Sequence, residues 1–284
     1  MSCLRPIQIR NKQGELKTVP CSKCPGCYFQ KVGGMSFRLM QEEKISQSAH
    51  FITFTYDTNN LVLTPTGRRS LCSYHLQLFF KRLRKHHGSH YHCLQPIKYY
   101  AVGEYGSKTK RPHYHAIIFN ADIELIEKAW TVDGNLIGDI YYGDVCEASI
   151  GYTLKYLSKK RSAGLYGDDD RQREFAVSSK GLGLSYLTPN MRFWHKADLY
   201  NRRYLTLKGG LKVAMPRYYY EKLYDGYEMD LLNMSGSLIQ QEEFYQQFIS
   251  VSYEKRIDDL RLFDKRVQAA FARHEHNNNK ILLL

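Results

Sequence analysis

The chain has 284 residues, a formal net charge of +13, 43% hydrophobic residues and 23 tyrosines. That apolar fraction supports a packed core and excludes a disordered chain, while the charge favours a polyanionic partner, nucleic acid or an acidic membrane surface. No stretch approaches the roughly 20 apolar residues of a membrane span and no apolar signal run follows Met1. A soluble intracellular protein is therefore expected, with seven cysteines serving as free thiols or metal ligands rather than disulfides.

Residues 1–34 are polar and cysteine-rich. Cys21, Cys24 and Cys27 form C-x-x-C-x-x-C with Cys3 upstream. Four thiolates would close a tetrahedral, structural Zn²⁺ site, and unliganded thiols are the alternative. Cys72, Cys93 and Cys146 read as buried or incidental thiols. His50–Asp57 (HFITFTYD), dense in β-branched and aromatic residues, predicts a strand. Ser73–His87 predicts a basic helix with Leu76, Phe79, Phe80 and Leu83 on its apolar stripe. Ile97–Glu104 and His113–Phe119 predict two more strands. The Gly-, Ser- and Pro-containing loop Tyr105–Pro112 makes them an antiparallel hairpin. A helix over Ala121–Trp130 capped by Asn120, a strand over Leu136–Tyr142 after the Asp133–Gly134 turn, and a helix over Glu147–Arg161 follow. This order predicts an α+β domain, an antiparallel sheet with helices against it. Past the linker Gly164–Asp170 the pattern is mixed, then mostly helical from Ser237 to Glu275. Three regions result: 1–34, a core over 35–165, and a mainly helical C-terminal region over 166–284.

His113 and His115 are spaced i, i+2 on a strand, so their side chains share one face. Glu104 ends the partner strand, and antiparallel pairing brings its carboxylate beside them. Two imidazoles and one carboxylate hold a metal with open positions, as a catalytic site needs. Strand histidines without a ligand, beside a salt-bridged Glu, are the plain alternative. The ligand set alone also describes a non-haem iron oxygenase.

On the last of these helices, Ile150, Leu154 and Leu157 form a narrow apolar stripe, and Tyr152, Lys155, Tyr156 and Lys159 fall opposite. The unit Tyr-x-x-Lys occurs twice. Lysines beside phenols hold a phosphate or stabilise a phenolate, whose ordinary pKa is about 10; a solvent-facing Tyr/Lys surface is the alternative. Arg68–Arg69 and the run Lys81, Arg82, Arg84 and Lys85 read either as a grip on DNA phosphates or as a solvated face. Arg111 joins this DNA-binding set. Ser179–Gly183 reads as a turn without a P-loop pattern, and the lack of a Walker A motif excludes helicase activity. Arg217-Tyr218-Tyr219-Tyr220 reads as a packed aromatic cluster.

In this order and spacing, HFITFTYD, GEYGSKTKRPHYHAIIF and YTLKYLSKK resemble the three motifs of HUH-type rolling-circle replication initiators. The likeness is strongest to those of microvirus, gokushovirus-like single-stranded DNA bacteriophages, which carry similar N-terminal cysteine clusters. Tyr114, between the two histidines, is more polar than the motif's name implies. The resemblance implies an HUH endonuclease fold, ferredoxin/RRM-like. His113 and His115 would bind Mg²⁺ or Mn²⁺ with Glu104 as third ligand. Tyr152 and Tyr156 would be two nucleophiles, with Lys155 and Lys159 the motif's lysines and Phe51–Asp57 a mainly structural first motif. It implies nicking through a 5′-phosphotyrosine, single-stranded and origin DNA as partners together with host helicase and polymerase, and the bacterial host's cytoplasm as the place. A transposase or relaxase keeps the same chemistry; a non-catalytic single-stranded DNA-binding protein is the alternative from another class.

Overall fold

The computed structural model describes residues 3–11, 14–88, 95–155, 167–210, 212–232 and 269. The chain divides into two compact units, residues 1–34 with 186–284, and residues 35–185. It opens with an antiparallel hairpin of β1 (Ile7–Arg10) and β2 (Leu16–Val19), followed by α1 (Pro25–Glu43).

The unit spanning 35–185 contains β3 (Ala49–Phe54), α2 (Ser73–Gly88), β4 (Lys98–Tyr105), β5 (Pro112–Phe119), α3 (Ile123–Ala129), the short hairpin β6 (Thr131–Val132) and β7 (Asn135–Leu136), β8 (Ile140–Asp144), α4 (Glu147–Lys155) and β9 (Phe175–Ser178). Five strands form one sheet in the order β8-β3-β5-β4-β9, antiparallel at every pairing. The expected α+β architecture is present.

Strand alternation gives the sheet two faces. Ile52 and Phe54 of β3, Ala101 and Tyr105 of β4, and Tyr114, Ala116 and Ile118 of β5 point to one side. There they meet Leu76, Phe79, Phe80 and Leu83 of α2 and Leu125, Ile126 and Ala129 of α3. Trp130 is fully buried among Phe54, Tyr56 and Phe79, and its indole N–H donates to the Thr55 carbonyl at 3.2 Å. Truncating a ring such as Phe79 in this layer would cost about 3–5 kcal/mol. α4 packs over β5, burying Ile150 and Leu154.

Four expectations are corrected. The helix cap is Asp122, whose side chain accepts from the Glu124 N–H; Asn120 sits at φ 61° and instead accepts from Gln47 N and donates to Pro96 O. The single strand over 136–142 is two pieces, β7 and β8. They are split at Gly138, where a Cβ would lie 2.1 Å from the Thr55 carbonyl oxygen, so only glycine lets the backbones approach. The first strand ends at Phe54 rather than Asp57. The sheet also takes β9 from beyond residue 165, because Phe175–Ser178 pairs with β4.

From 186 onward the described residues form α5 (Pro189–Lys196), the hairpin β10 (Tyr204–Thr206) and β11 (Lys212–Ala214), and α6 (Arg217–Leu223). This stretch is mixed rather than mainly helical, and all of the expected tail 237–275 except Ala269 lies outside the described residues. Thr188 caps α5 by accepting from Met191 N, with proline at the first helical position, where its missing N–H costs nothing. Tyr219 is buried against Tyr186 and Tyr218, so the tyrosine run of α6 packs as a cluster. Gly181 and Gly183, both at positive φ, make the Ser179–Gly183 segment a turn. Among the described residues no helix is long and apolar enough to cross a membrane.

Candidate metal and nucleophile site

The site lies on the sheet face opposite α2 and α3. In the β4–β5 register Glu104 stands directly across from His113, and Val102 across from His115. The hairpin loop closes through Gly106 N–H to Arg111 O at 3.0 Å and Lys110 N–H to Gly106 O at 3.1 Å, which fixes that register. Glu104 Oε1 lies 2.6 Å from His113 Nε2 and 3.2 Å from His115 Nε2. The ligand atoms of all three fall within 4.8 Å of one another.

Each imidazole is held by its other nitrogen. His113 Nδ1 donates to the Arg111 carbonyl at 3.2 Å, and His115 Nδ1 lies 2.8 Å from the Thr53 hydroxyl. Thr53 is opposite His115 in the β3–β5 register. Anchoring Nδ1 selects the tautomer and aims Nε2 at the shared point, as partners behind metal-bound histidines do. Burial holds His115 below the ordinary imidazole range against the pull of Glu104, and the charges of His113 and Lys155 act in the same direction as burial. A neutral imidazole is the form that ligates. Glu104 is a carboxylate only 4% exposed, and a buried carboxylate calls for a cation beside it. The donor set therefore fits a divalent metal.

α4 brings Tyr152 to this point. Its ring meets His115 edge-on, 5.1 Å between centroids, and Phe51 at 6.2 Å, while Phe51 stacks on His115 at 5.9 Å. Tyr152 remains 39% exposed, so its phenol is not walled off from a substrate. Lys155 Nζ lies 3.6 Å from the centre of the Tyr152 ring, a cation–π contact. Tyr156 and Lys159, named with them from the sequence, lie outside the described residues. Tyr114 turns the other way. It is fully buried, accepts from Cys72 N at 2.8 Å, donates to Cys72 O at 3.0 Å and meets the Tyr56 hydroxyl at 2.9 Å.

The basic residues are not all brought to the site. Lys81, Arg82, Arg84 and Lys85 ride on α2, across the sheet from the triad. Arg82 is half-buried and donates to the Ala129 carbonyl at 3.0 Å, a structural tie between α2 and α3; Lys81, Arg84 and Lys85 are exposed. Arg68 pairs with Asp168 at 2.9 Å and Arg69 is exposed. Arg111 takes part through its carbonyl, while its guanidinium donates to Tyr56 O. Sequence reasoning missed Thr53 as the anchor of His115, although the alternation Phe51, Thr53 on a strand pairing with the histidines carries that signal. It also missed Tyr141 of β8. Tyr141 is opposite Thr53 in register and so shares the row of His115, at 58% exposure.

Cys3, Cys21, Cys24 and Cys27 form a second cluster, in the other unit, with all four sulfurs within 4.8 Å of one another. The fourth member expected from sequence, Cys3, is the one that closes it. Cys72 is half-buried and Cys146 exposed, both free of any disulfide; Cys93 lies outside the described residues.

The family model for replication-associated protein ORF2 and its relatives matches residues 49–161, the segment that holds the triad and Tyr152. The chain is 28% identical over 310 residues to replication-associated protein ORF2 of Spiroplasma virus 4, covering 94% of this chain and 90% of that one. It is also 28% identical over 254 residues to replication-associated protein VP4 of Bdellovibrio phage phiMH2K, covering 77% and 76% of the two chains. To replication-associated protein ORF4 of Chlamydia phage 1 it is 28% identical over 225 residues, covering 72% and 53%. No solved structure matches. With the motif-bearing segment matched and three phage replication proteins aligned along most of the chain, the chain belongs to the replication-associated protein ORF2 family, among the gokushovirus-like rolling-circle initiators.

Proposed function

We propose that the chain nicks single-stranded DNA at a replication origin through a tyrosine ester and later rejoins it. The carrying observation is the placement of Tyr152 edge-on to His115, the imidazole that shares Glu104 with His113. Mg²⁺ or Mn²⁺ held by Glu104, His113 and His115 would polarise the scissile phosphate as a Lewis acid. The Tyr152 oxygen attacks phosphorus, the bond to the 3′ oxygen breaks, and the phenol proton ends on the released 3′-hydroxyl. The products are a 5′-phosphotyrosine and a free 3′-hydroxyl. Lys155, against the Tyr152 ring, favours the phenolate that develops. The phosphoester energy stays in the tyrosine link, so the reverse attack by a 3′-hydroxyl reseals the strand. Tyr156 and Lys159 supply a second nucleophile for alternate rounds. Tyr141 offers an exposed ring on the same row for a base to stack on, and the exposed cations at Arg69, Lys81, Arg84 and Lys85 contribute phosphate attraction. The 3′-hydroxyl suits extension by a host polymerase behind a host helicase, in the host cytoplasm.

The test is a covalent-adduct assay with 3′-labelled single-stranded origin DNA and Mn²⁺. A label that stays on the protein through a denaturing gel, requires Mn²⁺ and disappears in Tyr152→Phe/Tyr156→Phe supports the reading. An adduct that survives the double substitution overturns it. DNA binding without any adduct points instead to a non-catalytic binding protein.

A further inference from the structure

The four-cysteine cluster lies in the other unit from the triad and has no part in the chemistry above. Its geometry is specific. Cys21 Sγ and Cys27 Sγ are 3.9 Å apart, as are Cys24 Sγ and Cys3 Sγ. A tetrahedron of sulfurs about 2.3 Å from a central zinc has edges of about 3.8 Å. The sulfurs are therefore at the separation that a shared ion imposes, and well beyond the roughly 2.05 Å of a disulfide.

The backbone around them is arranged for thiolates. Three main-chain amides donate to sulfur: Leu4 N to Cys24 Sγ at 3.3 Å, Cys21 N to Cys3 Sγ at 3.2 Å, and Cys24 N to Cys21 Sγ at 3.3 Å. Such donors offset the surplus negative charge of a four-thiolate site. Ser22, between the first two cysteines of the triplet, sits at φ 59°, which turns the chain so that Cys21 and Cys24 face the same point. Cys24 and Cys27 are buried, and Cys3 and Cys21 half-buried, so no coordination position is left open for a substrate.

The cluster also sits where the fold lacks other support. β1 and β2 run between Cys3 and Cys21, and β1 is exposed along its whole length, Ile7 and Ile9 included. A two-stranded hairpin without a buried face is marginal in water. Cys24 and Cys27 lie at the start of α1, where the Tyr28 N–H already bonds to the Cys24 carbonyl at 3.0 Å. We infer that Cys3, Cys21, Cys24 and Cys27 bind one structural zinc ion as four thiolates, releasing their four protons, and that this ion clasps the base of the β1–β2 hairpin to the start of α1.

The test uses the full-length protein, purified under reducing conditions, loaded with Zn²⁺ and then washed with EDTA. Elemental analysis should find roughly one zinc per chain, in keeping with a closed four-sulfur site. His113→Ala/His115→Ala should retain it. Cys3→Ser, which removes the ligand nearest the chain terminus, should bring zinc below a third of the wild-type content while the circular dichroism of the sheet-bearing unit is preserved. Replacing zinc with Co²⁺ in the wild type should give the intense thiolate-to-metal absorption of a tetrahedral sulfur site, weakened in Cys3→Ser. Zinc absent from the reduced wild type, retained equally by Cys3→Ser and Cys24→Ser, or lost with the histidines instead, overturns the inference. None of these results bears on the nicking reading, whose failure would show in the adduct assay.

Discussion

The triad of Glu104, His113 and His115 and the quartet of Cys3, Cys21, Cys24 and Cys27 are both compact groups of metal-type ligands, yet they are built for opposite ends. The triad offers two nitrogens and one oxygen from rigid neighbouring strands, and His113 and Tyr152 keep it in touch with solvent. Three donors on one side of a sheet leave positions for a phosphate. The quartet offers only sulfur, drawn from a terminal segment and a helix start, and surrounds its centre. Harder donors with open positions suit a weakly held, exchangeable ion that does chemistry; four thiolates suit a tightly held ion that does none. The difference teaches that openness and donor hardness, more than ligand count, separate a reactive centre from a brace.

That contrast breaks if the triad proves to be the brace. His113→Ala/His115→Ala should lower Mn²⁺-dependent adduct formation by about a thousandfold, the several kcal/mol a catalytic metal supplies, with little change in the thermal midpoint. Collapse of the melt along with the activity would show that the triad carries stability instead. Thr53→Ala sharpens the comparison: removing the anchor of His115 Nδ1 should weaken Mn²⁺ binding by about 10- to 100-fold, measured by titration calorimetry, and leave zinc content untouched. Unchanged Mn²⁺ affinity would mean that sheet packing alone orients the ring. Tyr141→Ala should weaken single-stranded DNA binding by about tenfold, within the roughly 1–3 kcal/mol of one stacked base, without altering Mn²⁺ affinity. An equal loss for Tyr74→Ala, an exposed tyrosine on α2, would show that any surface ring serves.

The smallest effect concerns pH and the unit of the quartet. His195 is fully buried, donates from Nδ1 to Arg202 O at 2.6 Å and accepts at Nε2 from the Tyr186 hydroxyl at 2.8 Å. Burial depresses its pKa, so the folded chain resists a proton that the unfolded chain takes up near pH 6.5. The stability linked to this group is full above that pH and is lost as pH falls below it, toward the folded value. Melting midpoints from pH 8 to 5 should fall on the acidic side, with a flatter profile for His195→Gln. Parallel profiles in the two proteins would sink this account.

Much of the fold was legible because its signals are local. The alternation of HYHAIIF and KYYAVGEY announces two strands, and a six-residue Gly-containing loop leaves them little choice but to pair, which puts Glu104 across from His113. The stripe of Leu76, Phe79, Phe80 and Leu83 announces a helix laid on that sheet. What was not legible depends on partners far along the chain. Gly138 interrupts an apparently continuous strand only because the Thr55 carbonyl passes over it, and β9 joins the sheet only because β4 leaves an edge open. Asn120 has the right chemistry for a helix cap, but Gln47 and Pro96 claim its side chain. The site followed the same division. The ligands and Tyr152 could be read from spacing, whereas the roles of Thr53 and Tyr141 follow from a cross-strand register that no local pattern states.

The hydroxyl of Tyr114 gives the histidine strand a second significance. β5 is a party wall: its two imidazoles furnish one room while the tyrosine between them is bolted to Cys72 and Tyr56 in the next. Tenancy of the metal therefore depends on carpentry out of its sight. A loosened bolt, such as Tyr114→Phe, would leave the amide and carbonyl of Cys72 without their partner and let the wall shift. Both histidines would then lose their aim together, though neither they nor their immediate neighbours had changed.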